Sequence, residues 1–123
     1  MRIVSVIVGM LLAAQAGAAV AGPSAATQRE ISGLMQALES SGCRFQRNGS
    51  WHDPAQARTH LQRKYDYLLK RDMVDSSEQF IERAASRSSI SGRAYRVVCP
   101  GAAEQDAAPW FLAKLRQLRS AGR

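Results

Sequence analysis

Cysteine content is the feature of this chain that most constrains its fold, because the chain has only two cysteines, Cys43 and Cys99. A bond between them would join segments far apart in the sequence and close a long loop. On the chain-entropy model such a loop contributes about 4 kcal/mol to stability, a large amount for a small domain with a modest core. Whether the pair is oxidised depends on the compartment in which the chain works.

The N-terminus predicts export. Residues 1–2 give a short positive start, residues 3–14 an apolar run and residues 19–21 a small-x-small site, which is the order found in secretory signal peptides. The alternative is a membrane anchor, but the strongly apolar part, residues 3–12, is shorter than the roughly 20 residues that span a bilayer. No cysteine adjoins the apolar run, so the sequence predicts no lipoprotein attachment.

Cleavage is expected after Ala21 or alternatively after Ala18. This leaves residues 22–123 as a single mature domain, with 22–26 as a flexible lead and 120–123 as a flexible tail. No later segment is apolar over a spanning length, so we expect the cleaved chain not to be an integral membrane protein.

An exported domain meets oxidising conditions, under which Cys43 and Cys99 are expected to form a disulfide. A metal site for this pair lacks support because no C-x-x-C or histidine-rich spacing accompanies it. His52, Asp53 and His60 form the one other cluster of metal-ligating types, but their spacing matches no metal motif. We therefore expect no metal and no cofactor.

Charge points to an anionic partner only weakly. The chain carries a net charge of +7, and loss of Arg2 with the signal leaves +6, which is compatible with attraction to anions. The basic residues are nevertheless spread over every segment. There is neither a polybasic run nor the alternation of aromatic and basic residues that single-strand binders use, so we expect no nucleic acid partner.

Periodicity and end signals predict four helices. The first spans residues 27–40 behind a capping box at Thr27-Gln28-Arg29-Glu30, and the second opens at Asp53-Pro54 and runs to about Arg71. The third follows a cap at Asp75-Ser76-Ser77-Glu78, and the fourth contains Trp110. The expected buried stripe of the second helix is Ala57, Leu61, Tyr65, Leu68 and Leu69. The residues that define the other three helices are Ile31, Leu34, Met35 and Leu38; Phe80, Ile81, Ala84 and Ala85; and Trp110, Phe111, Lys114, Leu115 and Leu118.

Two strands complete the pattern. Residues 43–47 alternate as a short strand before Asn48-Gly49, a strong tight-turn signal from which Trp51 folds back. Residues 94–99 form the clearer strand, stopped by Pro100-Gly101 and followed by a small-residue linker. The fold class is therefore α+β and helix-rich, with about four helices on a two- or three-stranded antiparallel sheet and one disulfide joining the first strand to the last.

Nucleophilic catalysis has weak support. The candidates are four serines near the end of the third helix, with a histidine as base: Ser86, Ser88, Ser89 and Ser91 with His52 or His60. No G-x-S-x-G or S-x-x-K motif accompanies them. A serine cluster at a helix end more often serves as caps and turn hydroxyls, so no residue is assigned a catalytic role.

Motifs along most of the mature chain resemble the YfeK-like family. They are Phe45-x-Arg47-Asn48-Gly49; Ala57-x-x-His60-Leu61-x-x-Lys64; and Glu78-x-Phe80-Ile81 with Ala85-Ser86-x-Ser88-Ser89-x-Ser91-Gly92-x-x-Tyr95. That family comprises small exported proteins of Gram-negative bacteria with a domain of unknown function. The resemblance implies a periplasmic location and a helix-rich single domain, but no activity, cofactor or catalytic residue. Its pattern nominates Arg47, Asn48, His60, Lys64, Ser88, Ser89, Ser91, Gly92 and Tyr95.

Three functions from different classes follow. The first is a non-enzymatic periplasmic domain in which Arg47, Lys64 and the serine turn bind a protein or a small anionic ligand; alternatively Arg47 and Lys64 only cover the core. The second is an inhibitor of a cell-wall lytic enzyme, because Ser91-Gly92-Arg93-Ala94-Tyr95 is similar to the S-G-x-x-Y motif of periplasmic lysozyme inhibitors. The third is a serine hydrolase that uses Ser88, Ser89 or Ser91 with His60.

Overall fold

The computed structural model describes residues 22–122, together with the isolated positions Ile3 and Gly9. Apart from those two positions, the predicted signal peptide lies outside the described residues, as does Arg123 of the predicted tail. The helices and strands are α1 (Ala25–Glu39), β1 (Arg44–Arg47), β2 (Ser50–His52), α2 (Pro54–Lys70), α3 (Ser77–Phe80), β3 (Arg96–Val98), β4 (Gln105–Asp106) and α4 (Ala107–Ala121).

The predicted α+β, helix-rich class is confirmed. The sheet has four antiparallel strands in the order β2-β1-β3-β4, one more than the upper end of the expected two or three. The missed strand is β4, whose two residues lie in the predicted linker and pair with Arg96 and Val97. Two residues are too few to show an alternation of apolar and polar side chains. The strand is defined only by its backbone pairing with β3.

The start of α1 corrects one prediction. The hydroxyl of Ser24 accepts the backbone N–H of Thr27 at 3.1 Å and caps a helix that begins at Ala25. Thr27 is therefore inside the first turn, and the predicted capping box with Glu30 is wrong. Two residues of the predicted flexible lead, Ala25 and Ala26, are helical, as are Ser120 and Ala121 of the predicted tail at the end of α4.

The start of α2 confirms another prediction. The Asp53 carboxylate accepts the backbone N–H of Gln56 at 2.8 Å, while the Gln56 side chain accepts the backbone N–H of Asp53 at 3.3 Å. Pro54 occupies the first helical position, where its missing N–H costs nothing. Of the predicted buried stripe, Leu69 is exposed, because it is turned by about 100° around the helix axis from its buried neighbour Leu68.

The third helix departs from α-helical geometry. The Ser76 hydroxyl caps α3 by accepting the backbone N–H of Gln79 at 3.1 Å. After Phe80 the chain continues as a π-helix over Ile81–Ala85. The Ser86 hydroxyl then donates to the Ile81 carbonyl at 2.6 Å. This wider turn ends the helix and sets the direction of the loop that follows.

The core lies between the sheet and the helices, with α1 packed against α2, α3 and α4. The cross-strand partners Phe45 and Val97 are buried, and the Phe45 ring lies 5.3 Å from that of Trp110. The predicted disulfide Cys43–Cys99 is formed. It joins the start of β1 to the end of β3, its neighbour, rather than to the last strand of the chain.

None of the helices that the structure describes is both long enough and apolar enough to cross a membrane.

Candidate functional site: a basic cleft

The turn between β1 and β2 carries the first of the nominated residues. Asn48 and Gly49 have φ angles of 50° and 82°, in the left-handed region that asparagine and glycine accept most readily. The predicted hairpin is thereby closed, with Arg47 opposite Ser50. Arg47 stands at the end of β1, where its guanidinium contacts His60 of α2.

Residues 86–95 form a tight loop between the π-helix and β3, which we call the serine loop. Its neck is closed by a hydrogen bond of 2.9 Å from the Ser88 N–H to the Arg93 carbonyl. The Ser88 hydroxyl oxygen accepts the backbone N–H groups of Ile90 and Ser91, each at 3.2 Å. Ser88 is thus a turn-forming residue, as the structural interpretation of the serine cluster predicts.

The hairpin turn and the serine loop are bonded to each other through Asn48. Its amide nitrogen donates to the Ser88 hydroxyl at 3.3 Å, and its amide oxygen accepts from the Ser91 hydroxyl at 2.6 Å. Gly92, with a φ of 72°, completes the turn after Ser91. The sequence left open whether these two turns are neighbours. In the structure, hydrogen bonds join them into one unit.

His60 connects the hairpin to the base of the serine loop. Its Nδ1 contacts the Arg47 guanidinium, and its Nε2 lies 3.1 Å from the Tyr95 hydroxyl. Because a guanidinium can only donate, Nδ1 must be the acceptor and the ring proton must reside on Nε2. His60 therefore donates to Tyr95, and the Tyr95 oxygen is the acceptor.

Lys64, one turn after His60 on α2, reaches the same oxygen. Its ammonium donates to the Tyr95 hydroxyl at 3.0 Å and to the Arg87 carbonyl at 2.9 Å. The Nζ atom also lies 4.9 Å from the centre of the Tyr95 ring, within the range of cation–π attraction. The Tyr95 oxygen thus accepts two hydrogen bonds, which leaves its own proton available for donation.

Electrostatics in this region disfavour further positive charge. Burial, and then the charges of Arg47 and Lys64, lower the pKa of His60 to about 4, so the ring is neutral at pH 7. Burial and then the charge of Arg47 lower the pKa of Lys64 to about 8. Burial raises the pKa of Tyr95, so its hydroxyl keeps its proton.

These side chains line a cleft of about 440 Å³ between α2, the hairpin and the serine loop, which we call the basic cleft. Its lining residues are Arg47, Asn48, Ser50, His52, His60, Lys64, Ser88, Ser89, Ile90 and Tyr95. No carboxylate is among them. Within residues 22–122, the ion pairs involve other arginines, and neither Arg47 nor Lys64 takes part in one.

The hydrogen-bonding capacity left in the basic cleft consists largely of donors. An ammonium has three donors and a guanidinium five; Lys64 uses two protein acceptors and Arg47 contacts one, as far as the described residues extend. The Tyr95 proton adds one more. Such a site suits an anion, which brings acceptors and a charge that the lining residues lack.

Seven of the nine nominated residues line the basic cleft. The other two, Ser91 and Gly92, belong to the serine loop that borders it, and Ser91 is bonded to Asn48. Sequence reasoning missed Ser50, His52 and Ile90 as lining residues. Ser50 and His52 could have been predicted from the hairpin register, because β2 lies beside Arg47. The sequence around Ile90 contains no comparable signal.

The geometry supports serine hydrolysis, inhibition of a lytic enzyme and metal binding less well than it supports anion binding. Both ring nitrogens of His60 are engaged by Arg47 and Tyr95, and no hydrogen bond within the described chain links His60 to a serine hydroxyl. The Ser91 hydroxyl, central to the inhibitor-like motif, donates to Asn48 rather than standing free. The described residues also contain no group of three or more histidine, cysteine or acidic side chains placed to hold a metal ion.

Comparison with known proteins gives two matches. A family model described as "Family of unknown function (DUF5329)" matches residues 25–119, which include the whole basic cleft. The uncharacterized protein YfeK of Salmonella typhimurium is 36% identical over 95 residues, which are 76% of this chain and 75% of that protein. No solved structure matches the chain.

Proposed function

Because this chain belongs to the family of unknown function DUF5329, which defines no reaction, we propose a function from the basic cleft: binding, without catalysis, of a small anionic ligand. The family membership confirms the resemblance to YfeK-like proteins that the motifs indicated. We also propose that the domain works in the periplasm after removal of residues 1–21. The disulfide supports that location, because disulfides persist in oxidising compartments.

The observation that carries the proposal is that, among residues 22–122, no carboxylate lies opposite Arg47 and Lys64 in the basic cleft. Their charges are half-buried and mutually repulsive, a cost that is visible in the lowered pKa of Lys64. A bound anion would relieve that repulsion and accept the hydrogens that the protein leaves unused. Hydrogen bonds to charged groups contribute about 1.5–3 kcal/mol each, enough for a small ligand to bind with two or three of them.

Binding suits the geometry better than hydrolysis does. A general base must lie within hydrogen-bond reach of its nucleophile, whereas His60 is held between Arg47 and Tyr95. The serine hydroxyls instead stabilise the loop that forms one wall of the cleft. Inhibition of a basic lysozyme is disfavoured by charge, since the full chain carries +7, or +6 after loss of Arg2, and like charges slow association.

Isothermal titration calorimetry with inorganic phosphate and with acetate tests the proposal. We expect both anions to bind the unmodified protein, and Arg47→Ala and Lys64→Met each to weaken binding about tenfold or more, from loss of a charge-assisted hydrogen bond. Arg116→Ala is the matched control. It removes the same charge from an exposed position on α4, outside the basic cleft, and should leave affinity unchanged.

Two results would contradict the proposal. One is that neither anion binds the folded protein. The other is that Arg116→Ala weakens binding as much as Arg47→Ala does, which would mean that anions respond to overall charge rather than to the cleft.

A further inference from the structure

A second cavity adjoins the basic cleft and differs from it in character. It has a volume of about 320 Å³ and lies between α2, the sheet and α4. Six apolar residues line it: Phe45, Ala57, Leu61, Ala85, Ala107 and Phe111. All of them except the half-buried Ala57 are buried core residues. The lining also includes the half-buried Gln46 and the exposed Gln56, Thr59 and Arg63. We call this cavity the apolar pocket.

The two cavities share a wall. Arg47, His52, His60 and Tyr95 line both of them. The guanidinium that offers unused donors to an anion therefore stands at the border of a preformed apolar space. An anion bound at Arg47 would have the apolar pocket directly beside it. As in the basic cleft, none of the described residues that line the pocket is a carboxylate.

From this adjacency we infer that the ligand is amphipathic: one anionic head group held at Arg47 and Lys64, attached to an apolar body that fills the apolar pocket. The inference rests on the proposed function and names the class of anion. A cavity of about 150 Å³ lined by apolar side chains holds benzene. The apolar pocket, at about 320 Å³, therefore has room for a body of about six to ten carbon atoms.

Chemistry at the two ends explains why an amphipathic ligand should bind more tightly than a simple anion or a neutral hydrocarbon. A simple anion would leave the apolar pocket to water, which gains few partners from six apolar residues. A neutral hydrocarbon would leave Arg47 and Lys64 without a counter-charge. An amphipathic monoanion, such as a medium-chain carboxylate or alkyl phosphate, satisfies both surfaces at once and needs no further group from the protein.

A chain-length series tests the inference by calorimetry. Acetate, hexanoate and octanoate carry the same head group on a growing body, octyl phosphate changes the head, and 1-octanol removes the charge. We expect affinity to rise about fourfold with each methylene that enters the apolar pocket and to level off once it is full. Octyl phosphate should follow octanoate, and 1-octanol should bind at least tenfold more weakly than octanoate.

A pair of variants on α2 separates the two cavities. Ala57 lines the apolar pocket and not the basic cleft, so Ala57→Leu should lower octanoate affinity at least tenfold and leave acetate affinity unchanged. Ala55→Leu adds the same group at an exposed position of the same helix and should change neither. Lys64→Met should weaken acetate and octanoate by the same factor. Retained acetate binding shows that Ala57→Leu and Ala55→Leu are folded, and cooperative urea denaturation shows the same for Lys64→Met.

The outcomes distinguish the two proposals. Equal affinity for acetate and octanoate, or equal affinity for octanoate and 1-octanol, would overturn the amphipathic ligand. If acetate and octanoate bind with equal affinity, the proposed binding of a small anion is still supported. Loss of all anion binding in the unmodified protein would instead overturn the proposed function, and the inference with it.

Discussion

The side chains of Asn48 and Ser91, 43 positions apart in the sequence, are joined by a hydrogen bond of 2.6 Å. It fastens the β1–β2 turn to the serine loop, and a second bond from Asn48 to Ser88 supports it. Asn48 also occupies a left-handed backbone conformation. One residue therefore closes the hairpin and holds the opposite wall of the basic cleft in place.

Ser91→Ala should lower the free energy of unfolding by about 1 kcal/mol, the usual contribution of one intramolecular hydrogen bond. Urea denaturation measures this change. Asn48→Gly keeps the left-handed turn but loses both side-chain bonds. In the Asn48→Gly background, Ser91→Ala should therefore cost less, because only the bond of 3.2 Å that the Ser91 hydroxyl accepts from the Arg93 N–H remains to be lost.

Ser89→Ala is the control for this double-mutant comparison of Asn48 and Ser91. Ser89 is exposed in the same loop, so its replacement should change stability by less than about 0.5 kcal/mol. Equal costs of Ser91→Ala in the two backgrounds would show that Asn48 and Ser91 are not coupled.

The protonation of Lys64 should govern anion affinity above neutral pH. Its pKa is lowered to about 8 by burial and by Arg47, so the ammonium loses its charge as pH rises through 8. Acetate affinity should be constant between pH 6 and 7.5, because carboxylates titrate near 4. It should then fall by up to about tenfold per pH unit above 8.

Lys64→Arg supplies the comparison, because arginine stays charged throughout this range. Its acetate affinity should be independent of pH up to 9.5, whatever its absolute value. A flat profile for the unmodified protein over the same range would rule out Lys64 as the titrating contact.

His60 should make stability depend on pH in the acid range. Its pKa falls from 6.5 to about 4 on folding, through burial and then through Arg47 and Lys64. Between these two values the unfolded chain binds the proton more readily than the folded one, so acidification favours unfolding. The free energy of unfolding should therefore decrease as pH falls from 6.5 to 4, and no further decrease from His60 should occur below 4.

The comparison with His60→Gln isolates this contribution, since the carboxylates titrate in both proteins. As the pH is lowered from 7 to 4.5, the free energy of unfolding of the unmodified protein should decrease by more than that of the variant. A difference that stays constant over this interval would mean that His60 titrates alike in the folded and unfolded chains.

A second polar cluster should matter for stability rather than for binding. Glu30 of α1 accepts from the Ser77 hydroxyl at 2.7 Å and from Arg119 Nε at 2.9 Å, and these bonds lower the pKa of its carboxyl. Glu30→Ala should cost about 1–3 kcal/mol, because Ser77 is buried and loses its acceptor. Arg119→Ala should cost less than about 1 kcal/mol, because Arg119 is exposed.

Glu30→Gln, which keeps an acceptor oxygen, should fall between these two variants in urea denaturation. A larger loss from Arg119→Ala than from Glu30→Ala would mean that the ion pair, and not the buried hydroxyl, determines the stability of this cluster.

Sequence reasoning succeeded where the cause of a structure is local. The Asp53-Pro54 start of α2 and the Asn48-Gly49 turn are fixed by a few adjacent residues, and both occur as predicted. The start of α1 was misplaced because Ser24 and Thr27 are both suitable caps, and the choice depends on Glu30. That side chain serves Ser77 and Arg119 instead, a requirement set by distant parts of the chain.

The basic cleft was predictable in part. Arg47, Lys64 and the serine turn were grouped by motif, and the hairpin geometry brought them together. Neither the Arg47–His60–Tyr95 chain of contacts nor the apolar pocket has a local signature, because each depends on how α2 lies across the sheet. The two-residue strand β4 is likewise defined only by its partner, β3.

The position of the serine loop depends on how many residues the π-helical segment Ile81–Ala85 contains as well as on which residues they are. A π-turn is an α-helix that has accommodated one extra residue, and each residue of an α-helix advances the chain by about 100°. Deleting one residue from this segment would only close it to an ordinary helix, because the wider turn already absorbs that residue. Deleting a second residue would have no wide turn left to absorb it and would rotate Ser86 and everything after it by about 100° away from α2. The wall of the basic cleft would be lost although every residue in that wall was still present.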